Sequence, residues 1–315
     1  MQGKISAFRI RVAMRRILQV LAPALAVAFF AAGAAAQTLY ASSVRTYSDP
    51  SYKGVEGNIY TVDPDTAGTQ LVTSINYGKT PIGLDGLAIH PKTGVFYGIT
   101  SATAAVIPHS LVIVDPATGA ATLVGDLGDV GSDITFDNDG TLYVWLPNTR
   151  QMGKIDLDSG RVTARGHAIE RGASKGAFTV IGGGKAYLAA TGGAGTLDTL
   201  DVQTGTITTG PALTGAPFPD LITGLAYSPH GTLFGINTNF GRSTQANLIM
   251  IDPATGKVTN VGALPNDTDA ITWGPATQQR DLFSNIMEWR FPVLVALFLF
   301  AMGVLFFAMR TKKGE

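Results

Sequence analysis

The sequence contains no cysteine among its 315 residues, and this absence excludes three kinds of chemistry. There is no disulfide framework, no thiol nucleophile and no attachment site for a c-type haem. Positive charge is scarce in residues 37–277, which carry 13 Lys and Arg against 20 Asp and Glu, a net charge of 13 − 20 = −7. Because an acidic surface repels the phosphate backbone, we exclude a role in nucleic-acid binding.

Residues 37–277 also lack a helical hydrophobic period of useful length, so we expect strands in this region. No Gly-x-Ser-x-Gly segment is present, which argues against the serine hydrolases built around that elbow. The histidines show no paired spacing of the kind that zinc sites use; they are His90, His109, His167 and His230. His90 and His230 each stand beside a proline in equivalent turns, which predicts a role in those turns.

The N-terminal segment, residues 1–36, has five basic residues, no acid and then an apolar run that ends in small residues. This order is typical of a secretory signal peptide, with cleavage predicted after Ala36. The apolar run is long enough that an uncleaved anchor is the alternative, although Pro23 and the alanine-rich end favour cleavage. We therefore expect the region after Ala36 to be exported.

A second apolar run, residues 291–309, contains no charge and is followed by Arg310, Lys312 and Lys313. A helix of this length spans roughly 28 Å, close to the thickness of a bilayer core. Basic residues after the run favour a cytoplasmic C-terminus. The sequence thus predicts a juxtamembrane linker at 278–290, a transmembrane helix at 291–309 and a cytoplasmic tail at 310–315, with residues 37–277 on the extracytoplasmic side of the cytoplasmic membrane.

One short pattern organises residues 37–277, and Asp115-Pro116-Ala117-Thr118-Gly119 is its clearest copy. Variants of it recur 41 to 52 residues apart (156 − 115 = 41, 115 − 63 = 52). Aspartate and threonine bond their own backbone in turns, and glycine accepts a positive φ, so each copy predicts a strand–turn–strand unit. The five leading residues are Asp63, Asp115, Asp156, Asp201 and Asp252.

Each repeat contains four strand-like runs separated by turn residues, and a period of this length indicates the blades of a β-propeller. Residues 38–43 match a second strand and residues 269–273 match a first strand. The chain therefore begins one strand into a blade and ends with the missing strand of that blade. We predict an all-β, five-bladed propeller over residues 37–277, closed by its N- and C-terminal strands.

The segments 224–236 and 248–256 resemble those of exported bacterial β-propeller repeat proteins, the broad group of NHL-type, gluconolactonase-like and quinoprotein-like repeats. The resemblance implies a propeller and no particular activity. Quinoprotein-type blades carry a docking tryptophan after the glycine of the signature, but this chain has other residues at the matching positions. These are Leu123, Ala164, Thr209 and Asn260.

Three carboxylates are predicted to converge where the first strands of the blades begin. Alignment of the repeats places Asp85, Ser132, Gly176, Thr223 and Asp269 at one level, with Asp133 one residue further along and Asp220 on a neighbouring loop. Carboxylates and hydroxyls can hold a hard cation such as Ca²⁺, so Asp85, Asp133 and Asp269 form a candidate metal site. The alternative is that these acids bond the backbone amides at the strand starts.

Two functions remain open from the sequence. The first is a membrane-anchored binding or scaffold module that uses one face of the propeller for a protein or glycan partner. The second is a metal-dependent hydrolase of the lactonase kind with its site at the mouth of the central channel. Gluconolactonase-like enzymes use a glutamate ligand, but the two glutamates of this region, Glu56 and Glu170, do not lie on first strands, which favours the binding module.

Overall fold

The computed structural model of the chain describes residues 37–44, 57–166, 176–190, 195–218, 221–239 and 245–275. The predicted signal peptide, juxtamembrane linker, transmembrane helix and cytoplasmic tail lie outside these residues. Within the described ranges, no helix has the length and apolar character needed to cross a membrane. The architecture there is all-β.

Within the described residues, twenty strands form five antiparallel sheets of four strands each, and two more form a small hairpin. The first sheet contains β1 (Gln37–Ser43), β2 (Asn58–Val62), β3 (Thr69–Ser74) and β22 (Thr268–Pro275). The hairpin between the first and second sheets consists of β4 (Asn76–Tyr77) and β5 (Thr80–Pro81). The second sheet contains β6 (Leu84–Ile89), β7 (Phe96–Thr100), β8 (Ser110–Val114) and β9 (Ala121–Asp126).

The remaining three sheets each follow the chain without interruption. The third sheet contains β10 (Asp133–Phe136), β11 (Leu142–Leu146), β12 (Gln151–Ile155) and β13 (Val162–Arg165). The fourth contains β14 (Gly176–Gly182), β15 (Lys185–Ala190), β16 (Asp198–Asp201) and β17 (Ile207–Thr208). The fifth contains β18 (Ile222–Tyr227), β19 (Leu233–Thr238), β20 (Ala246–Ile251) and β21 (Val258–Leu264).

The first strand of each sheet stands at the centre of the molecule. Strand β6 contacts β10 and β22, β14 contacts β10 and β18, and β18 also contacts β22. The sheets are therefore arranged around a common axis as the blades of a five-bladed β-propeller, as the repeats predict.

The first blade combines strands from both ends of the described chain. Its order is β22-β1-β2-β3, so the inner strand comes from the C-terminal side and the other three from the N-terminal side. The amide of Val44 donates to the carbonyl of Asp267 at 2.8 Å, just beyond the two strands. The pairing has the strand order expected from the sequence, and closure of the ring by these two strands stays a prediction.

The hydrophobic core is divided into five clusters, and each lies between two neighbouring blades. Leu39 and Phe234 belong to the cluster between the first and fifth blades, for example, while Trp145 and Phe178 belong to the cluster between the third and fourth. Because neighbours cover both faces of every blade, strands such as β6, β7 and β11 are buried along their whole length. The sequence of β11 is accordingly a continuous apolar run, and β6 and β7 are apolar except for the buried residues Asp85 and Thr100.

The five signature turns join neighbouring blades at the outer strands. Each turn has a residue with positive φ, and that residue packs against the outer-strand side of the preceding blade. A Cβ added to Gly119 would stand 2.0 Å from the carbonyl oxygen of Ser74, and one added to Gly160 would stand 2.7 Å from that of Gly125. Glycine is required there by close approach as well as by conformation. The five positive-φ residues are Ala67, Gly119, Gly160, Gly205 and Gly256.

Candidate functional site

The starts of the inner strands form a common end of the ring, which we call the mouth. It is defined by Asp85, Ser132, Gly176, Thr223 and Asp269. Asp85 and Thr223 are the extra residues of register shifts between β6 and β7 and between β18 and β19. Bulges of this kind redirect a side chain relative to the regular strand.

Hydroxyl groups at the mouth connect neighbouring blades directly. The Oγ of Ser132 donates to the carbonyl of Gly176 at 2.9 Å, joining the third blade to the fourth. The Oγ1 of Thr223 donates to the carbonyl of Asp269 at 3.0 Å, joining the fifth blade to the first. Both side chains are buried. The mouth is therefore a hydrogen-bonded platform that crosses blade boundaries.

Asp133 lies one residue further along β10 and bonds to two other blades. Its Oδ2 accepts hydrogen bonds from the amides of Phe178 at 2.9 Å and Leu225 at 3.4 Å, while its Oδ1 accepts from Ile134 at 2.9 Å. The side chain is fully buried. A single carboxyl group thus satisfies amides of the third, fourth and fifth blades at the axis of the ring.

Two threonines continue this arrangement along the inner strands. The Oγ1 of Thr135 accepts a hydrogen bond from the amide of Val180 at 3.4 Å, and the Oγ1 of Thr179 accepts from the amide of Tyr227 at 3.3 Å. The inner strands of different blades are not paired as a sheet, so buried amides that face the axis need side-chain acceptors. These polar side chains therefore form hydrogen bonds between the inner strands of neighbouring blades.

Burial raises the pKa of Asp133 well above the ordinary value for aspartate. The three backbone amides lower the pKa because they stabilise the charged form, but desolvation is the largest effect, and the nearby charge of Asp269 raises the pKa further. Asp269 is itself buried. Asp133 therefore retains its proton to a higher pH than an exposed aspartate does.

The structure brings together part of the candidate metal set. Asp133 and Asp269 interact electrostatically, and Asp85 is buried at the start of the adjacent β6. In the described ranges, no group of three or more His, Asp or Glu side chains has an arrangement suited to a metal ion. Asp220, Glu56 and Glu170 lie outside those ranges. The backbone contacts of Asp133 fit the alternative, structural reading, and calcium binding stays a prediction.

The signature aspartates are exposed, and each acts within its own turn. Asp115, for example, accepts hydrogen bonds from the hydroxyl of Thr118 at 2.6 Å and from the amide of Ala117 at 2.9 Å. Hydrogen bonds of this kind lower the pKa of all five leading aspartates. This agrees with the turn chemistry predicted from the sequence. The close packing of the same turns on the preceding blade was not predicted from the sequence, although the recurrence of glycine at Gly125, Gly166 and Gly262 was an available signal.

His90 has the turn role that the sequence predicts. Its Nδ1 accepts from the amides of Lys92 and Thr93, both at 3.2 Å, and its ring packs edge-on against Phe136 at 5.0 Å. Ser228 occupies the corresponding place in the fifth blade, where its Oγ accepts from the amide of Thr232 at 2.9 Å. His230 is exposed in that turn, and His167 lies outside the described residues.

The two ends of the ring differ in their connections. We call the segments that join first and second strands in blades two to five the inner turns; they occupy residues 90–95, 137–141, 183–184 and 228–232. Because the strands of each blade are antiparallel, the connections from second to third strands lie at the mouth, as do the connections from one blade to the next. Two of these connections have longer described stretches, at residues 101–109 and 209–218.

Comparison with known proteins shows similarity to solved structures but not to a protein family. No family model and no curated protein matches the sequence. A chain in the crystal structure of a nidogen/laminin complex is 12% identical, with a TM-score of 0.48, covering 76% of this chain and 98% of that one. TolB from Acinetobacter baumannii is 16% identical, with a TM-score of 0.42, covering 69% of this chain and 51% of that one.

Hydrazine synthase from Kuenenia stuttgartiensis is also similar, at 19% identity and a TM-score of 0.39, covering 58% of this chain and 49% of that one. This chain therefore matches about half the length of TolB and of hydrazine synthase. At such identities and TM-scores the similarities carry no functional argument, and the assignment as a propeller rests on the five sheets themselves.

Proposed function

We propose that this protein is a membrane-anchored, extracytoplasmic propeller that binds a protein or glycan partner at the mouth. The observation that carries the proposal is the contrast between the two ends of the ring. The mouth combines a platform of buried side chains bonded across blades, such as Ser132 and Thr223, with long connections above it. Rigid scaffolds that display loops are typical binding surfaces.

The anchor and the export step of this proposal come from the sequence alone. Residues 1–36 supply the predicted signal peptide and residues 291–309 the predicted transmembrane helix. Reporter fusions test both segments together: one reporter placed in the connection 101–109 and one at the C-terminus should report opposite sides of the membrane. Reporters found on the same side would contradict the anchored topology.

Site-specific photo-crosslinking in cells of the source organism tests the binding surface. A photoreactive amino acid replaces Ala102 or Asn266, which are exposed in connections at the mouth end, and in matched controls replaces Asp139 or His230, which are exposed in inner turns. We expect the mouth positions to give one shared adduct that the inner-turn positions do not give. A protein adduct has a defined added mass, whereas a glycan adduct is shortened by glycosidases. Crosslinking only from the inner turns would refute binding at the mouth.

A further inference from the structure

We infer that the mouth faces away from the membrane and that the inner turns face the bilayer. The inference rests on the proposed anchor and concerns which end of the ring is available to the partner. Its structural basis is the course of β22, the last strand of the described chain, which begins at Thr268 and ends at Pro275.

The start of β22 belongs to the mouth. Asp269 is the second residue of β22, and the carbonyl of Asp269 accepts a hydrogen bond from the hydroxyl of Thr223 in the neighbouring blade. The end of β22 lies beside an inner turn: a Cβ added to Gly274 would stand 2.2 Å from the Cδ1 of Ile89, the residue before His90. Eight residues of strand separate the two ends by about 25 Å.

The chain therefore leaves the ring at the end opposite the mouth. The predicted membrane span begins at residue 291, about fifteen residues after Pro275, and a segment of that length reaches at most about 50 Å. A flexible segment of about fifteen residues has an average end-to-end distance of only about 20 Å, so the end of the ring that carries it is on average nearer the bilayer than the other end. The partner bound at the mouth is then a protein or glycan outside the membrane, and a lipid headgroup at the mouth is disfavoured.

Energy transfer from the protein to the lipid surface tests this orientation, and the absence of native cysteine allows single labels. The full chain carries a donor dye at either Ala102→Cys, in the connection from β7 to β8 at the mouth end, or Asp139→Cys, in an inner turn. Vesicles contain a headgroup-linked acceptor. We expect clearly greater transfer from position 139 than from position 102, because energy transfer to a plane of acceptors falls steeply with the distance from that plane.

Equal transfer from both positions, or greater transfer from position 102, overturns the orientation. Co-flotation of the labelled protein with the vesicles is measured first, and protein that fails to float refutes the anchor of the proposed function together with the orientation. A variant with a long Gly-Ser insertion after residue 277 serves as the matched control. If the short tether sets the orientation, this insertion should reduce the difference between the two positions.

Discussion

Gly166 and Gly205 lie back to back at the junction between the third and fourth blades. A Cβ added to Gly205 would stand 2.5 Å from the Cα of Gly166, and one added to Gly166 would stand 2.6 Å from the Cα of Gly205. The same approach of a signature turn to the preceding blade occurs between Gly160 and Gly125. Backbone contact at these junctions therefore packs each signature turn directly on the preceding blade.

Gly205→Ala should destabilise the propeller more than an equivalent change at an open glycine. Gly205 has φ +71° and a backbone neighbour inside contact distance, so the variant combines conformational strain with overpacking, together about 2–4 kcal/mol. Gly183→Ala is the matched control, since Gly183 has φ +61° with nothing within 4 Å and should lose only about 1 kcal/mol. Urea denaturation measures both. Equal losses would show that the junction contact contributes nothing.

Asp133→Asn should flatten the pH dependence of stability above about pH 4. The folded-state pKa of Asp133 is raised, so its contribution is fully present below the unfolded pKa, near 3.9, and is lost as pH rises through the folded pKa. The signature aspartates act oppositely: their lowered pKa values give stability that is lost as pH falls through those values. The two effects therefore occupy different pH windows.

The measurement is the free energy of unfolding against pH for wild type, Asp133→Asn and the exposed control Asp65→Asn. Only Asp133→Asn should lose the decline in stability above pH 4. Asp133→Leu should be much less stable at every pH, because each buried amide left without an acceptor costs about 1–3 kcal/mol. An unchanged slope in Asp133→Asn would mean that another group titrates in this window.

Removal of residues 37–46 should unfold or aggregate the propeller. The deletion takes away β1, which separates β22 from β2 and supplies Leu39 and Tyr40 to two interblade clusters. The exposed strand edges would then be free to pair with other molecules. Size-exclusion chromatography and thermal melting measure the effect. A monomeric deletion variant with an unchanged melting temperature would show that the terminal strands do not close the ring.

Calcium should raise the melting temperature if Asp85, Asp133 and Asp269 form the metal site predicted from the sequence. A ligand that binds only the folded state at 100 times its Kd adds about 2.7 kcal/mol. The double variant Asp85→Asn with Asp269→Asn should then lose the response to calcium. A wild-type protein that is insensitive to calcium and EDTA, with a double variant of equal or greater stability, would reject the metal site and leave the carboxylates a purely structural role.

His90→Ala should destabilise the turn between β6 and β7, whereas His230→Ala should have almost no effect. Nδ1 of His90 accepts two backbone amides, and loss of a comparable side-chain cap costs about 0.5–2 kcal/mol. Ser228→Ala should resemble His90→Ala because Ser228 bonds a backbone amide in the corresponding turn. Chemical denaturation compares the three variants. A larger effect at His230 than at His90 would reverse the assignment.

The sequence by itself determined the features that depend on a few neighbouring residues. The turn at Asp115 is specified within five positions, because its side chains bond their own backbone, and its recurrence predicts five blades. The apolar run of Leu111–Val114 likewise predicts a strand, and β8 occupies this position. The turn role of His90 followed from its position between two such strands.

Only the tertiary structure decided which distant residues meet. Asp133 accepts hydrogen bonds from the amides of Phe178 and Leu225, which are 45 and 92 residues away. Alignment of the internal repeats placed Asp133 near the mouth but did not indicate these partners. The contact between Gly166 and Gly205 depends in the same way on how one blade docks on the next. Local hydrogen bonding is encoded in short segments, whereas contacts across the ring are fixed only when all five blades pack around one axis.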